Sequence, residues 1–492
     1  MSFSRYQLWT LAGIALLCVS GGVRAQQPNQ DQGQAQDQTQ PQDQPQPQER
    51  SQAPIPAYRS PFAGNDADQA PPELTPDTQP LAGVQTLSLG IPEGHTYWQP
   101  SAGVTGNATS NGFGASNGWT TYEDLIGGLS LHDISGRSNL ALSYLGGGQV
   151  YQGGGTGTGN AVIQELGLLE TLSWERTTLS LFEQASYVPE TGFGYAGVGG
   201  LAIPGGNPVI LQPGFGITGT ILTIPTQQLA NSSLAELDTK LSARSSLTFV
   251  GGYSLLHFFG ANLLNTNGAV FQAGYNRNLN RKDTIAVLYR FDALRFGNNS
   301  QTINDNVAQL SYARRITGRL AFQAGAGPEI SFFGMPVFTG AGTSGPPSST
   351  LLNWSASTSL NYQLEQSLLA VSYIHGVTGG GGVFTGSIGD TLTGSVSHQF
   401  TRTIGTGFVT GYARNRALAT VGSMNINQTF DYWFGEGTLT HTLGRTANLA
   451  LSYEERYQTS NAAFCVGTAC STSLDIHQVS VGLSWQAGPI VF

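Results

Sequence analysis

Leu352-Asn-Trp-Ser-Ala-Ser-Thr-Ser-Leu-Asn-Tyr-Gln-Leu-Glu365 is the stretch on which the fold turns. Its even positions are Leu352, Trp354, Ala356, Thr358, Leu360, Tyr362 and Leu364. Its odd positions are Asn353, Ser355, Ser357, Ser359, Asn361, Gln363 and Glu365. Side chains alternate across a β-strand, so one face is apolar and the other polar from end to end. A sheet stacked on a second sheet and a wall between lipid and water both need that pattern. Length separates them: this run is more than twice the ~5–6 residues of an ordinary globular strand.

The pattern recurs from about Tyr97 onward. Leu140-Ala-Leu-Ser-Tyr144, Leu369-Ala-Val-Ser-Tyr373 and Leu449-Ala-Leu-Ser-Tyr453 each put large apolar side chains on one face and Ala or Ser on the other. Tight turns are marked by Ser135-Gly136-Arg137, Glu175-Arg176-Thr177, Ala243-Arg244-Ser245, Arg281-Lys282-Asp283, Thr317-Gly318-Arg319, Glu365-Gln366-Ser367, Thr401-Arg402-Thr403 and Gly444-Arg445-Thr446. Between them lie longer Gly-rich or Asn-rich segments such as Gln152 to Asn160, Gly334 to Ser348 and Gly379 to Gly386. Alternating short and long connections are expected of a transmembrane barrel. Lipid offers no hydrogen-bond partners, so such a sheet must close on itself. Strands are predicted to start near Tyr97, Trp119, Ser138, Ala161, Thr177, Ser232, Ser246, Gly268, Asp283, Thr302, Arg319, Ser349, Ser367, Ser387, Thr403, Asn427, Arg445 and Ser473. The predicted fold is therefore all-β: a transmembrane antiparallel up-and-down β-barrel of about eighteen strands, with sixteen as the alternative. Pro100 and nearby Gly residues weaken the first strand.

Composition agrees. Only 10% of the 492 residues are charged, against roughly 25% in soluble domains. The formal net charge is -9 and Lys occurs only at Lys240 and Lys282, so no basic surface for nucleic acid is expected. Residues 1–25 read as a secretory signal peptide: Arg5, an apolar core from Leu8 to Val19, and Val23-Arg24-Ala25 at the cleavage positions. The core is too short for the ~20 residues of a spanning helix. Residues 26–85 are rich in Gln and then Pro, a composition that cannot bury enough apolar surface to fold, and are predicted to be a disordered periplasmic segment. The barrel is assigned to residues 86–492.

The last predicted strand, Gln478-Val-Ser-Val-Gly-Leu-Ser-Trp485, alternates, and the chain ends in Phe492. In these features and in its architecture the sequence resembles Gram-negative outer-membrane porins over roughly residues 90–492. Pro489, between that strand and Phe492, departs from the family pattern and allows the strand to end at Trp485. The resemblance implies passive diffusion of small hydrophilic solutes, recognition of the terminal aromatic by the barrel assembly machinery, contact with outer-membrane lipid and lipopolysaccharide, periplasmic termini, and a possible homotrimer. It also implies that the third outer loop enters the lumen. The matching segment is Pro189 to Asn231, carrying Phe193, Tyr195, Phe215 and Ile221 with Glu190 as its only charge. Family constriction loops are often acidic, so an uncharged constriction is the expectation here; an extracellular hairpin extending the wall is the alternative.

Period-two parity assigns Asp124, Glu236, Asp238, Lys240, Arg290, Asp292, Glu329, Glu454 and Arg456 to the interior, with Glu454 and Arg456 alternatively on solvated strand ends. Acids outnumber bases, and acidic linings enrich cations, so a weak cation preference is expected. Trp98, Trp119, Trp174, Trp354, Tyr432, Trp433 and Trp485 are candidates for interfacial girdles or for ordinary wall packing.

Little else points to chemistry. Gly192-x-Gly194-x-x-Gly197 fits a dinucleotide pattern but opens no helix of a βαβ unit. The seven His residues are scattered with no metal-ligand spacing on one strand. No enzyme activity, metal or cofactor is expected. Cys465 and Cys470, close together in the last outer loop, read as a disulfide in an oxidising compartment. The competing readings are a closed structural or surface-binding barrel, and a transporter for apolar small molecules, the latter suggested by the uncharged long loop.

Overall fold

The computed structural model describes residues 81–83, 96–110, 118–152, 160–189, 221, 226–259, 263–297, 301–334, 349–383, 385–418, 428–466 and 469–491. The predicted signal peptide lies outside the described residues. So do Phe193, Tyr195, Phe215 and Phe492, and all of the Gln/Pro-rich segment except Leu81–Gly83.

The described residues form one continuous antiparallel sheet. Its strands are β1 (Tyr97–Ser110), β2 (Trp119–Ser135), β3 (Ser138–Gln152), β4 (Ala161–Ser173), β5 (Thr177–Val188) and β6 (Gln228–Ser242). Next come β7 (Ser245–Phe258), β8 (Thr266–Asn278), β9 (Asp283–Phe296), β10 (Thr302–Arg315), β11 (Leu320–Gly334) and β12 (Ser349–Gln363). The last are β13 (Ser367–Thr378), β14 (Ser387–Gln399), β15 (Ile404–Ala417), β16 (Thr429–Leu443), β17 (Ala447–Val466), β18 (Ala469–Gln486) and the two-residue β19 (Ile490–Val491). Each strand pairs with its neighbours in sequence, and β1 pairs with β18 from Ser101↔Gln486 to Thr109↔Gln478. That last ladder closes an eighteen-stranded up-and-down barrel.

Closure has a local irregularity with a clear cause. Pro100 has no N–H to give, and the β1–β18 ladder stops one residue before it, at Ser101↔Gln486. Ala487 N–H donates to Pro100 O at 3.0 Å, and after Pro489 the chain re-pairs as β19, with Ile490 opposite Trp98 and Val491 opposite Tyr97. Pro489 thus interrupts the closing ladder without ending it. The eight predicted tight turns all join consecutive strands at one end of the barrel. At two of them Gly136 and Gly444 supply the positive φ, 56° and 76°, that a tight reversal needs.

The two faces of the wall differ as the parity predicts. Val104, Leu125, Val287, Leu310, Leu392, Phe408, Leu451 and Val481 point outward and are 41–61% exposed. So large an exposed apolar surface exceeds what soluble monomers tolerate. Trp98, Trp174 and Trp485 lie outward at the short-turn end; Trp119, Trp354 and Trp433 lie outward toward the long-loop end. Tyr432 does not join them. It is 2% exposed on the inner face, packed with Ala413, Phe434 and Ile476, because its strand carries aromatics on both faces and its parity is inward.

Candidate functional site: the lumen

The inner face is the candidate site. On β12 it presents Asn353, Ser355, Ser357, Ser359 and Asn361, and on β14 Ser387, Thr391, Thr393, Ser395 and Ser397, set by the β12–β13 and β13–β14 registers. A dry core could not hold such rows, since each unpaired hydroxyl or amide in an apolar interior costs about 1–3 kcal/mol.

Charges gather on this face in three groups. The first spans β9 to β13. Arg290 Nε lies 2.7 Å from Asp292 Oδ2. Asp292 is directly opposite Asp305, whose Oδ1 accepts a 2.7 Å bond from Ser331 Oγ. Glu329, fully buried, accepts from Asn353 Nδ2 at 2.8 Å and from the Val377 N–H at 3.0 Å. The second group lies on nearly the opposite arc. Asp124 accepts from Asn107 Nδ2 at 2.7 Å and Gln149 Nε2 at 3.1 Å. Asn107 accepts in turn from Ser480 Oγ at 2.6 Å. Arg456 donates to Gln478 Oε1 at 3.1 Å and lies 3.5 Å from Glu454, which pairs in register with Glu436. The third group is on β6 to β8, where Thr248 Oγ1 donates to Asp238 at 2.7 Å; Glu236 and Lys240 share that face of β6.

Register and burial therefore put Asp124, Glu236, Asp238, Lys240, Arg290, Asp292, Glu329, Glu454 and Arg456 all on the inner face. Glu165, Asp305 and Glu436 share it and escaped the sequence reading. The acids are spread over several strands, and each base except Lys240 is paired or bonded within its own group.

Among the described residues, apolar side chains cluster toward the long-loop end. Ile221, the one described residue of the predicted constriction loop's candidates, is 5% exposed and packs against Phe430, with Val383 and Ala417 beside it. Its loop leaves the wall between β5 and β6, yet these contacts lie at β13 to β16, close to the far side of the ring. A short 3-10 turn, Gly380–Gly382, also folds inward: Leu264 N–H donates to Gly382 O at 2.8 Å. A side chain at Gly382 would strike the Phe258 ring. Phe296, Ile303 and Phe333 form an apolar cluster at the same end, with Leu294, Leu351, Val377 and Leu418 packed against it.

On the outer face, Glu455, Asp475 and His477 of β17 and β18 bring ligand atoms within 4.8 Å of one another. They come from two strands, so spacing along one strand could not reveal them, and Tyr453 Oη already lies 2.9 Å from His477 Nδ1. Cys465 and Cys470 are placed directly opposite each other in the β17–β18 register.

No family model matches the chain, and no curated protein matches it. Among solved structures, OccK2 (OpdF) of Pseudomonas aeruginosa is 11% identical, with a TM-score of 0.41 over 80% of this chain and 98% of its own. A BenF-like porin from Pseudomonas fluorescens Pf-5 is 11% identical, with a TM-score of 0.41 over 82% of this chain and all of its own. Pseudomonas aeruginosa OpdK with vanillate is 10% identical, with a TM-score of 0.39 over 79% of this chain and 98% of its own. On the register of their own strands, the described residues form a closed, eighteen-stranded antiparallel barrel.

Proposed function

We propose that this protein is an outer-membrane channel for passive diffusion of small hydrophilic solutes, with a weak preference for cations. The observation that carries the reading is the division of the wall: exposed Leu, Val, Phe and Trp outside, and rows of Ser, Thr, Asn and carboxylates inside. An outside of that kind suits lipid, and closure satisfies every strand edge there. An inside of that kind suits water and the solutes it carries. Unneutralised acids raise the local concentration of cations.

In this reading residues 1–25 direct export, both termini face the periplasm, and outer-membrane lipid, lipopolysaccharide and the barrel assembly machinery are the partners. A homotrimer is compatible with it. The loop between β5 and β6 narrows the mouth, and the seat of Ile221 against Phe430 supports this.

The apolar cluster of Phe296, Ile303 and Phe333 supports a second reading, a transporter for solutes with an apolar part. Planar-bilayer recording of the refolded protein tests the first: discrete conductance steps and a cation-selective reversal potential are expected. A barrel without steps that still binds apolar solutes would favour the second.

A further inference from the structure

Leu81, Ala82 and Gly83 precede β1 in sequence yet pack on the inner wall of the barrel. Leu81 and Ala82 are buried against Ala286, Leu288 and Ala313. These wall residues alternate with the outward-facing Val287 and Tyr289, so the contact is on the lumen side. Ala82 is held like a residue of an added strand. Its N–H donates to Asn276 Oδ1 at 2.8 Å, and its carbonyl accepts from Gln272 Nε2 at 2.5 Å. The receptor is itself fixed: Asn276 Nδ2 donates to Thr248 Oγ1 at 2.9 Å, and Thr248 donates to Asp238. Gly274, between the two amide side chains, is the position where a Cβ would collide with the Ala82 side chain. A glycine inside a strand weakens it and marks a close approach by another backbone.

Topology gives the contact a consequence. Asn276 and Tyr97 both lie toward the short-turn end, so the dock and the start of β1 share one end of the barrel. The rim there carries Arg137, Arg176, Arg244, Arg281, Arg319 and Arg445 in or beside its turns. Residues 26–80 carry eight carboxylates and two arginines, a net charge opposite in sign to those arginines.

We propose that Leu81–Gly83 is a built-in plug: this chain's own segment, docked on Gln272, Gly274 and Asn276, obstructs the lumen at the short-turn end. The inference rests on the reading of the barrel as a channel. The test compares the mature chain with Gly274→Ala, Asn276→Ala, and a form lacking residues 26–83, each checked for a folded barrel by heat-modifiable migration in detergent gels. Single-channel recording should show larger unitary conductance, or longer open times, in all three. The deletion leaves the wall untouched and covers the case in which Gly274→Ala misfolds. In parallel, Leu81→Cys in a background of Cys465→Ser and Cys470→Ser should react slowly with a bulky maleimide, and quickly once Gly274→Ala is added. Equal conductance in all folded forms, or a Leu81→Cys thiol that is reactive from the start, would overturn the plug and leave the channel standing. No conductance from any form, the deletion included, would sink the channel reading and the plug with it.

Discussion

Arg290 Nε sits 2.7 Å from Asp292 Oδ2, two residues along the same strand and on the same lumen-facing side. The pair leaves Asp305 and Glu329 beside it with no second base within their group. Arg290→Gln should therefore expose three carboxylates to the lumen and move the reversal potential further toward cations. Asp292→Asn should move it the other way. Both variants break a largely buried pair, so each should also lower the temperature of heat-modifiable unfolding, by an amount matching about 1–3 kcal/mol. Unchanged selectivity in both would remove this cluster from the conducting path.

The pairing behind that prediction was only half legible in the sequence. Arg290, Asp292 and Glu329 could be assigned inward because their strands alternate cleanly. Asp305 could not: β10 has Ile303, Val307 and Ala313 inward but Asn304, Asn306 and Leu310 outward, so neither face reads as apolar. Glu165 fails for the opposite reason, since β4 is apolar on both faces, with Ile163 and Leu169 inward and Val162, Leu166 and Leu168 outward. Tyr432 misleads in the same way on β16. Strand positions were legible because length, turns and period-two patterning all act locally. Cross-strand groups such as Glu455–Asp475–His477, and the dock of Ala82 on Asn276, join residues from separate strands or far apart in sequence, which no local pattern encodes.

Deleting Gly192 to Ile224 should raise single-channel conductance, because the segment carrying Ile221 would no longer reach Phe430 across the mouth. Ile221→Asp is the gentler version. A carboxylate at a 5% exposed site against Phe430 and Val383 carries a desolvation penalty of several kcal/mol unless the loop moves away. Release of the loop predicts the same direction of change with a smaller amplitude. Conductance unaffected by either change would assign the loop to the outer surface.

Cys465 and Cys470 face each other across the β17–β18 ladder. Directly opposite residues of an antiparallel pair have Cα atoms about 4.5–5.5 Å apart, within the range a disulfide bridges. The native protein should show no free thiol until it is denatured and reduced, and two afterwards. So short a loop limits the entropic gain to about 2 kcal/mol, so Cys465→Ser with Cys470→Ser should leave the barrel folded and its conductance unchanged. A free thiol in the native, oxidised protein would exclude the bridge.

Leu392 and Ser395 lie near the middle of β14 on opposite faces of the wall, Leu392 outward and 46% exposed, Ser395 inward. Arginine at the two positions separates a lipid-facing wall from a solvent-facing one. At the lipid midplane an Arg costs about 2–4 kcal/mol, whereas lumen substitutions mainly tune selectivity. Leu392→Arg should thus slow folding into vesicles and lower the unfolding midpoint in denaturant by that amount. Ser395→Arg should fold normally and shift the reversal potential toward anions. If the two variants lost the same stability, the exposed belt of Leu, Val and Phe would have to be covered by something other than lipid, and the barrel would not be a membrane wall.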